Sequence, residues 1–401
     1  MKHKLQIKPV TLKYIDQYNE LMRYVFQVTD RDLQESGYQD GELIRSKRPV
    51  LQEAEVFGWF TPEDELISQI CIYPCKVNIH GKIFDMGGVT GVGTYPEYAN
   101  MGLMNDLIIE ALKKMRQAGQ YVSYLFPYSI PYYRRKGWEI ISDHMTYSFK
   151  DTQLPKHVDV PGFVERLDVT DEDVKLVYDR YAHQMHGALI RNKIEWDEYW
   201  RWENEDERTA AVYYDSDNQP QGCLFYWVEG DIFHIKEAFY LTQEAKHGLW
   251  NFVGAHFSMI DEVRGDSYLN EPIAFELEDS HIVETIEPYY MARIVDVAEF
   301  LKTYPWDDEI RPFHFIVKDA TAEWNNGVFG VRQNVNNEIE VVKDPIGDAV
   351  ELDIRTLSTM LMSYKSPAYL HKTERLKTNA KTLRLLEKLI PTKKPYFSDY
   401  F

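Results

Sequence analysis

Cysteine is scarce: Cys71, Cys75 and Cys223 are the only three in 401 residues. So few argue against a disulfide framework and fit a reducing compartment, the cytoplasm. Cys71 and Cys75 share one strand-like segment, a poor spacing for zinc. No second Cys/His pair completes a site, so no metal is implied. Long apolar runs are also missing. No stretch of 18 apolar residues occurs, and no membrane-spanning helix is expected. The opening segment, MKHKLQIKPV, lacks the apolar centre of a signal peptide and reads as strand. Positive charge is in short supply, with 45 basic against 64 acidic residues and a net charge of −19. Such a field repels nucleic acid and anionic membranes. Its plain reading is solubility, and its sharper reading is the steering of cationic amine substrates.

What is present is an apolar fraction of 44% and an aromatic fraction of 14%, enough for a sizeable core. The length suggests two or three domains. The first, residues 1–150, reads as strand (LQIKPV), helix (Thr11 to Phe26) and more helix to about Lys47. Three strands follow: EVFGWF, ELISQICIYPCKVNIHG and KIFDMGGVTGVGTY. Then come a helix from about Met101 to Gln117, a buried strand (YVSYLF), a short helix near Tyr132 and a strand (GWEIISDHMTYSF). Thr11 is placed to cap the first helix, whose Ile15, Tyr18, Met22 and Val25 follow helical spacing. This order makes a mixed α/β layer.

The linker DTQLPKHVDVPGF leads into a second unit, residues 151–286, with Thr170 as the expected cap of its first helix. That unit looks like a diverged copy of the first. AAVYYDSDNQPQGCLFYWVEGD echoes EVFGWFTPEDELISQICIYPCK as strand, polar turn, strand. The run Ala245-Lys246-His247-Gly248-Leu249-Trp250-Asn251 repeats Ala99-Asn100-Met101-Gly102-Leu103-Met104-Asn105 as A-x-x-G-L-x-N, and both are expected to open a helix after a strand. Residues 287–401 form an α+β unit. PYYMARIVDVAEFLKTYPW reads as one helix, and Asn326-Gly327 reads as a hairpin turn.

The loop Ala99-Asn100-Met101-Gly102 joins the GGVTGVGTY strand to a helix without a Ser, Thr or Asp at the junction. A helix start with uncapped N–H groups attracts anions, and Gly102 lets an anion approach the backbone. The preceding glycines, Gly87, Gly88, Gly91 and Gly93, suggest a bulge or bare edge that an extended ligand could join as an added strand. A diphosphate bearing an amide-containing arm, such as coenzyme A, has that shape. An ordinary strand–helix turn with water on its amides fits the loop equally well.

PYYRRKGWEI adds a second feature. Taken alone, Tyr132 and Tyr133 read as core aromatics. With the preceding loop, Tyr133-x-x-x-Gly137-Trp138 after a buried strand resembles the Tyr-x-x-x-Gly-Phe signature of the GNAT superfamily of N-acetyltransferases. There the tyrosine donates a proton to the leaving thiolate of coenzyme A, a task that suits a phenol. The tandem units, the α+β unit that follows and the aromatic last residue resemble the enhanced intracellular survival (Eis) family of GNAT N-acetyltransferases over nearly the whole chain. The resemblance implies a mixed α/β (α+β) chain: two tandem GNAT-like domains, the second non-catalytic, then a sterol-carrier-protein-like domain. It implies acetyl-CoA as cosubstrate, with Tyr133 as general acid and the main-chain carboxylate of Phe401 as general base. Cofactor contacts carry over to Val92, Gly93 and Thr94 on the strand and to Tyr128 and Ser129 after the buried strand. Others fall on Asn100, Met101, Gly102, Leu103, Met104 and Asn105 at the helix start. A hexameric ring is implied as well. One departure stands out: Ala99, Asn100 and Met101 occupy positions where the family places arginines, so charge-assisted help to the diphosphate is lost.

The expected reaction is acetyl transfer by direct attack of a primary amine of an aminoglycoside, a polyamine or a lysine side chain. The cysteines do not fit a nucleophile role, since no motif places a histidine beside them. Phe26 and Asp30, near the end of the first helix, are candidates for substrate contact. KKPYFSDYF is too apolar for a solvated tail and is expected to dock in a cleft. One rival reading is a non-catalytic carrier of apolar ligands with a decayed coenzyme A site. Another is a tandem-GNAT aminoacyltransferase, which a −19 chain without a basic patch suits poorly because its substrate is a tRNA.

Overall fold

The computed structural model describes residues 2–35, 42–200, 208–269 and 272–401, with the backbone alone for 42–46. Part of the helical reading toward Lys47, residues 36–41, lies outside the described residues. Among the described residues, the strands form two seven-stranded sheets and one four-stranded sheet. The first sheet runs in the order Gln6–Pro9, Glu55–Phe60, Leu66–Ile79, Lys82–Thr94, Val122–Leu125, Met291–Ile294, Glu139–Ile140. Its centre is the antiparallel pair Leu66–Ile79 and Lys82–Thr94. Side chains alternate between faces along a strand, so this pair separates two cores. Ile70, Ile72 and Val89 pack with Leu107 and Leu112 of the helix Leu103–Gln117. Cys71, Tyr73, Cys75 and Met86 join a larger core shared with the third unit.

The strand Lys82–Thr94 runs parallel to Val122–Leu125, but the two pair only over Met86–Gly88 and Val122–Tyr124. Beyond that point they part.

The second sheet repeats this plan. The hairpin Pro220–Glu229 and Ile232–Tyr240 feeds the helix Gln243–Gly254 and then the parallel strand Glu262–Ser267. The copy is real in topology, yet the A-x-x-G-L-x-N match is out of register. Thr242 caps the second helix through its hydroxyl, so Gly248 lies inside that helix against the ring of Tyr213, whereas Gly102 stands at the very start of its own. Two other caps differ from expectation. Asp171, not Thr170, caps the helix Glu172–Ala182, because the Thr170 hydroxyl is bound to Asp168. Thr11 precedes a short 3₁₀ turn and makes no side-chain capping bond.

The units exchange strands. GWEIISDHMTYSF is not one strand: Glu139–Ile140 stays in the first sheet, while Asp143–Lys150 crosses into the second between Glu262–Ser267 and Val283–Pro288. In return Met291–Ile294, read from sequence as the start of a helix, enters the first sheet between Val122–Leu125 and Glu139–Ile140. The helix itself is Val297–Thr303, capped by Asp296. A short run buried on both faces has no alternation to separate strand from helix. Its Arg293 is fully buried, bound to Asp319 and to the Lys136 carbonyl oxygen.

The third sheet runs Ile339–Val342, Gly327–Gln333, Phe313–Lys318, Asp348–Asp353. Phe313–Lys318 and Gly327–Gln333 form the expected hairpin, but through a longer connection than an Asn-Gly turn. Asn326 closes it by bonding both the N–H and the carbonyl of Asp319.

All three units meet at a stacked histidine pair. His80 and His186 lie 3.5 Å apart between centroids. The Nδ1 of His186 accepts the His80 amide (3.1 Å), and its Nε2 donates to the Met362 carbonyl (2.9 Å). Both nitrogens are used, and burial holds His186 well below the usual imidazole range and His80 at about 4. Above roughly pH 6.5, the unfolded value, neither group costs stability. As pH falls from there toward about 4, the unfolded chain binds protons that the folded chain refuses, and stability drops. Urea midpoints measured across that window should fall less steeply for His80→Asn than for the wild type, and equal slopes would contradict the linkage.

Candidate active site

Where Lys82–Thr94 and Val122–Leu125 part, a cleft of about 1220 Å³ opens. Val89 to Thr94 line one wall, and Phe126, Tyr128 and Ser129 line the other. In the pairing with Leu66–Ile79, Gln69 faces Gly93 and Cys71 faces Thr90, so the cleft wall carries an extra residue at Gly91-Val92. Such a bulge re-aims backbone groups toward the opening.

Tyr133 also lines the cleft. It sits on the helix Ile130–Arg135, which stops because Gly137 takes φ +93° and turns the chain back. The amides of Gly137 and Trp138 then close on the carbonyls of Arg134 and Tyr133, both at 3.1 Å. A Cβ at Gly137 would stand 2.7 Å from a nitrogen of Arg293, so both dihedral and space require glycine. Trp138 packs edge-on to Tyr133 at 6.2 Å. The Tyr-x-x-x-Gly-Trp spacing is therefore a helix end that locks one phenol against the cleft. Burial, with Tyr132 adding to it, pushes this phenol well above its ordinary value. It is therefore protonated at neutral pH.

No side chain caps the helix Leu103–Gln117, and Gly102 at its start has φ +71°. Of the six residues expected to contact the cofactor here, Met104 lines the cleft; Asn100, Met101, Gly102, Leu103 and Asn105 do not. The Leu103 side chain is buried in the core and its carbonyl accepts the Trp59 indole N–H at 3.0 Å. Asn105 accepts from the Lys136 ammonium. Val92, Gly93, Thr94, Tyr128 and Ser129 all line the cleft. Arg135 lines it too, at the same end as Tyr132 and Ser129.

The C-terminal segment reaches this cleft, and Phe401 and Tyr400 are part of its lining. The docked tail is held by a guanidinium. Arg191, with no exposed side-chain surface, binds Asp399 at 2.6 Å, Ser398 at 3.1 Å and Glu237 at 3.3 Å. Its guanidinium lies between the rings of Tyr178 (3.7 Å) and Tyr199 (3.9 Å). Burial pushes Glu237 up, but Arg191 and the hydroxyls of Ser398, Tyr199 and Tyr396 outweigh it and hold Glu237 below the usual carboxylate range. For Asp399 burial prevails over the pull of Arg191 and leaves its carboxyl raised. Phe397 is fully buried against Tyr124 and Tyr290, and the Phe401 amide donates to the Tyr290 hydroxyl at 3.1 Å.

The second unit contributes Glu198, Tyr199 and Lys236 to the cleft lining, and nothing in their local sequence marks them. Phe26 lines the cleft; Asp30 does not, being exposed and paired with Arg23 at 2.7 Å. Among the described lining residues, Arg23, Lys47, Arg135 and Lys236 face only Asp32 and Glu198 as acidic side chains. The chain's negative charge is thus not concentrated there. Cys71, Cys75 and Cys223 are buried with thiols pushed well above their usual range by burial, and none lines the cleft.

Three family models match the chain: an acetyltransferase (GNAT) domain over residues 6–141, an acetyltransferase (GNAT) domain over 187–294 and a sterol carrier protein domain over 297–398. Among solved structures, the chain is similar to a conserved protein of unknown function, probable N-acyltransferase, from Enterococcus faecalis V583, at 26% identity over 99% of each chain, TM-score 0.89. It shares its fold with a GCN5-related N-acetyltransferase from Anabaena variabilis, at 21% identity over 99% of this chain and 100% of that one, TM-score 0.84. Eis1 from Mycobacterium abscessus has the same fold at 16% identity over 99% of this chain and 100% of that one, TM-score 0.80. No curated protein matches the chain in sequence.

Replacing Arg191 with Met would leave Glu237 and Asp399 buried without their cation, a loss of about 3 kcal/mol or more in unfolding free energy. Urea unfolding measures that loss. Carboxypeptidase should also remove Phe401 faster from the variant than from the wild type.

Proposed function

We propose, for a chain built of two acetyltransferase (GNAT) domains and a sterol carrier protein domain, that the first domain transfers acetyl from acetyl-CoA to a primary amine of a small molecule or a lysine side chain. The observation that carries this reading is that Tyr133 and the last residue, Phe401, line one cleft although they come from distant parts of the chain. The 26% identity to a probable N-acyltransferase is consistent with it.

The cleft suits the cosubstrate on the chain's own features. The parted strands leave backbone at Val92 to Thr94 for the amide-bearing arm. The helix Leu103–Gln117 starts without a side-chain cap, and of its first residues Met104 reaches the cleft. Arg135 supplies a cation to the cleft lining.

At neutral pH the acceptor arrives as an ammonium and must lose a proton before it attacks. In this reading the Phe401 carboxylate takes that proton, directly or through water. The nitrogen then forms a bond to the acetyl carbon, and the carbon–sulfur bond breaks. Tyr133, kept protonated by burial, gives its proton to the departing thiolate. Backbone amides along the bulged strand are suited to hold the charge that develops on the carbonyl oxygen.

Tyr133→Phe should lower turnover by about a hundredfold or more while leaving acetyl-CoA binding nearly unchanged, as followed by thiol release and by calorimetry. Unchanged turnover would remove the phenol from the mechanism. Residues added after Phe401 displace the carboxylate and should abolish transfer; full activity in such an extended chain would refute its role as base.

A further inference from the structure

Gly87 and Gly88, the two glycines that open GGVTGVGTY, have different neighbours. Neither has a left-handed backbone, so conformation does not require glycine at either position. A glycine inside a strand weakens it and often marks a place that something else approaches closely. At Gly87 that neighbour is Met115 of the helix Leu103–Gln117, whose sulfur a Cβ would run into. Gly88 faces the other side of the sheet. A Cβ there would stand 2.8 and 3.0 Å from two ring carbons of Phe401 and 3.2 Å from the sulfur of Cys75.

The place of Gly88 in the sheet gives that contact its meaning. It pairs with Tyr73 on one neighbouring strand and with Tyr124 on the other. Residues directly opposite share a face, and Tyr73, Tyr124 and Phe401 belong to one core. The row across three strands is therefore tyrosine, bare backbone, tyrosine, with the ring of Phe401 against the gap. The Gly88–Tyr124 pair is also the last before the two strands part, so the gap lies at the base of the cleft. The ring has little room to retreat. Phe401 is 6% exposed, and the rings of Tyr290, Tyr73 and Phe397 stand 5.4, 6.0 and 6.2 Å from its own. Its amide is tied to the Tyr290 hydroxyl. With amide and ring both held, the carboxyl group on the same α-carbon has its place set.

We propose that Gly88 is a positioning residue: its missing side chain seats the ring of Phe401 and so fixes where the carboxylate of that residue stands in the cleft. The seat rests on the contacts above, and the work of the carboxylate rests on the transferase reading. A reacting group misplaced by about 1 Å costs on the order of a hundredfold in rate.

The experiment is a cycle of four chains: wild type, Gly88→Ala, Phe401→Leu and the double variant, each with nothing added after residue 401. Leucine keeps the carboxylate but lacks the ring carbons that an added methyl would meet. Acetyl transfer to spermidine and to a lysine peptide is followed by thiol release, under conditions where urea unfolding shows all four chains folded. With Phe401 in place, Gly88→Ala should lower kcat by about 10- to 100-fold and leave the KM for acetyl-CoA unchanged. In the Phe401→Leu background the same change should cost less than about threefold, the mark of a pair in contact. Equal losses in both backgrounds would mark a lesion of the strand itself and overturn the proposal, as would no loss in either. A second readout needs no turnover. Carboxypeptidase should release residue 401 faster from Gly88→Ala than from the wild type, and no faster from the double variant than from Phe401→Leu. Unchanged release from Gly88→Ala would overturn the seat even in an active enzyme. Release as expected, from a wild type that acetylates neither amine, would support the seat and count instead against the transferase reading.

Discussion

One guanidinium holds the end of the chain where it matters. Arg191 is fully buried between two tyrosine rings and binds Asp399, two residues before the terminus. A charge in that position is tolerable only with close counter-charges, and a terminal segment is ordered only if its contacts offset its lost freedom. Glu237 and Asp399 meet the first demand, and the burial of Tyr396, Phe397 and Phe401 meets the second. The tail then has no choice of register. Tyr396 is hydrogen-bonded to Glu237 and its amide to the His186 carbonyl, which leaves Phe401 at the cleft.

That clamp makes the second unit part of the site. Arg191 and Glu237 both come from it, as do Glu198, Tyr199 and Lys236 of the cleft lining. The strand exchange ties the same two units together, with Asp143–Lys150 given to the second sheet and Met291–Ile294 to the first. The third unit shares a continuous apolar core with the first and sends its last residues between the other two. Arg375 to Glu139 and Tyr364 to Asp143 add polar ties across the same seam. Three folding units thus converge on one opening between two parted strands.

Much of the first unit was legible because its signals are local. Tyr133-x-x-x-Gly137-Trp138 is a helix end that can be read from spacing, and Ala99 to Gly102 is a junction conspicuous for its missing cap. The aromatic tail was legible for a simple reason: KKPYFSDYF has too much to hide from water. The strand exchange was not, since the four-residue run Met291–Ile294 is buried on both faces and carries no period of its own. The internal duplication was inferred through a motif that falls at different points of the two helices, so the inference outlived its own alignment. Glu198, Tyr199 and Lys236 carry no local mark at all. Their presence in the cleft depends on how one unit is set against another, which no spacing along the chain records.

The account stands on transfer of acetyl to an amine in this cleft. The most direct measurement is thiol release from acetyl-CoA by the chain with nothing added after Phe401, run against aminoglycosides, spermidine and lysine peptides. The account predicts release that depends on the amine and saturates with it. Absence of release with every amine, together with absence of acetyl-CoA binding by calorimetry, would contradict it.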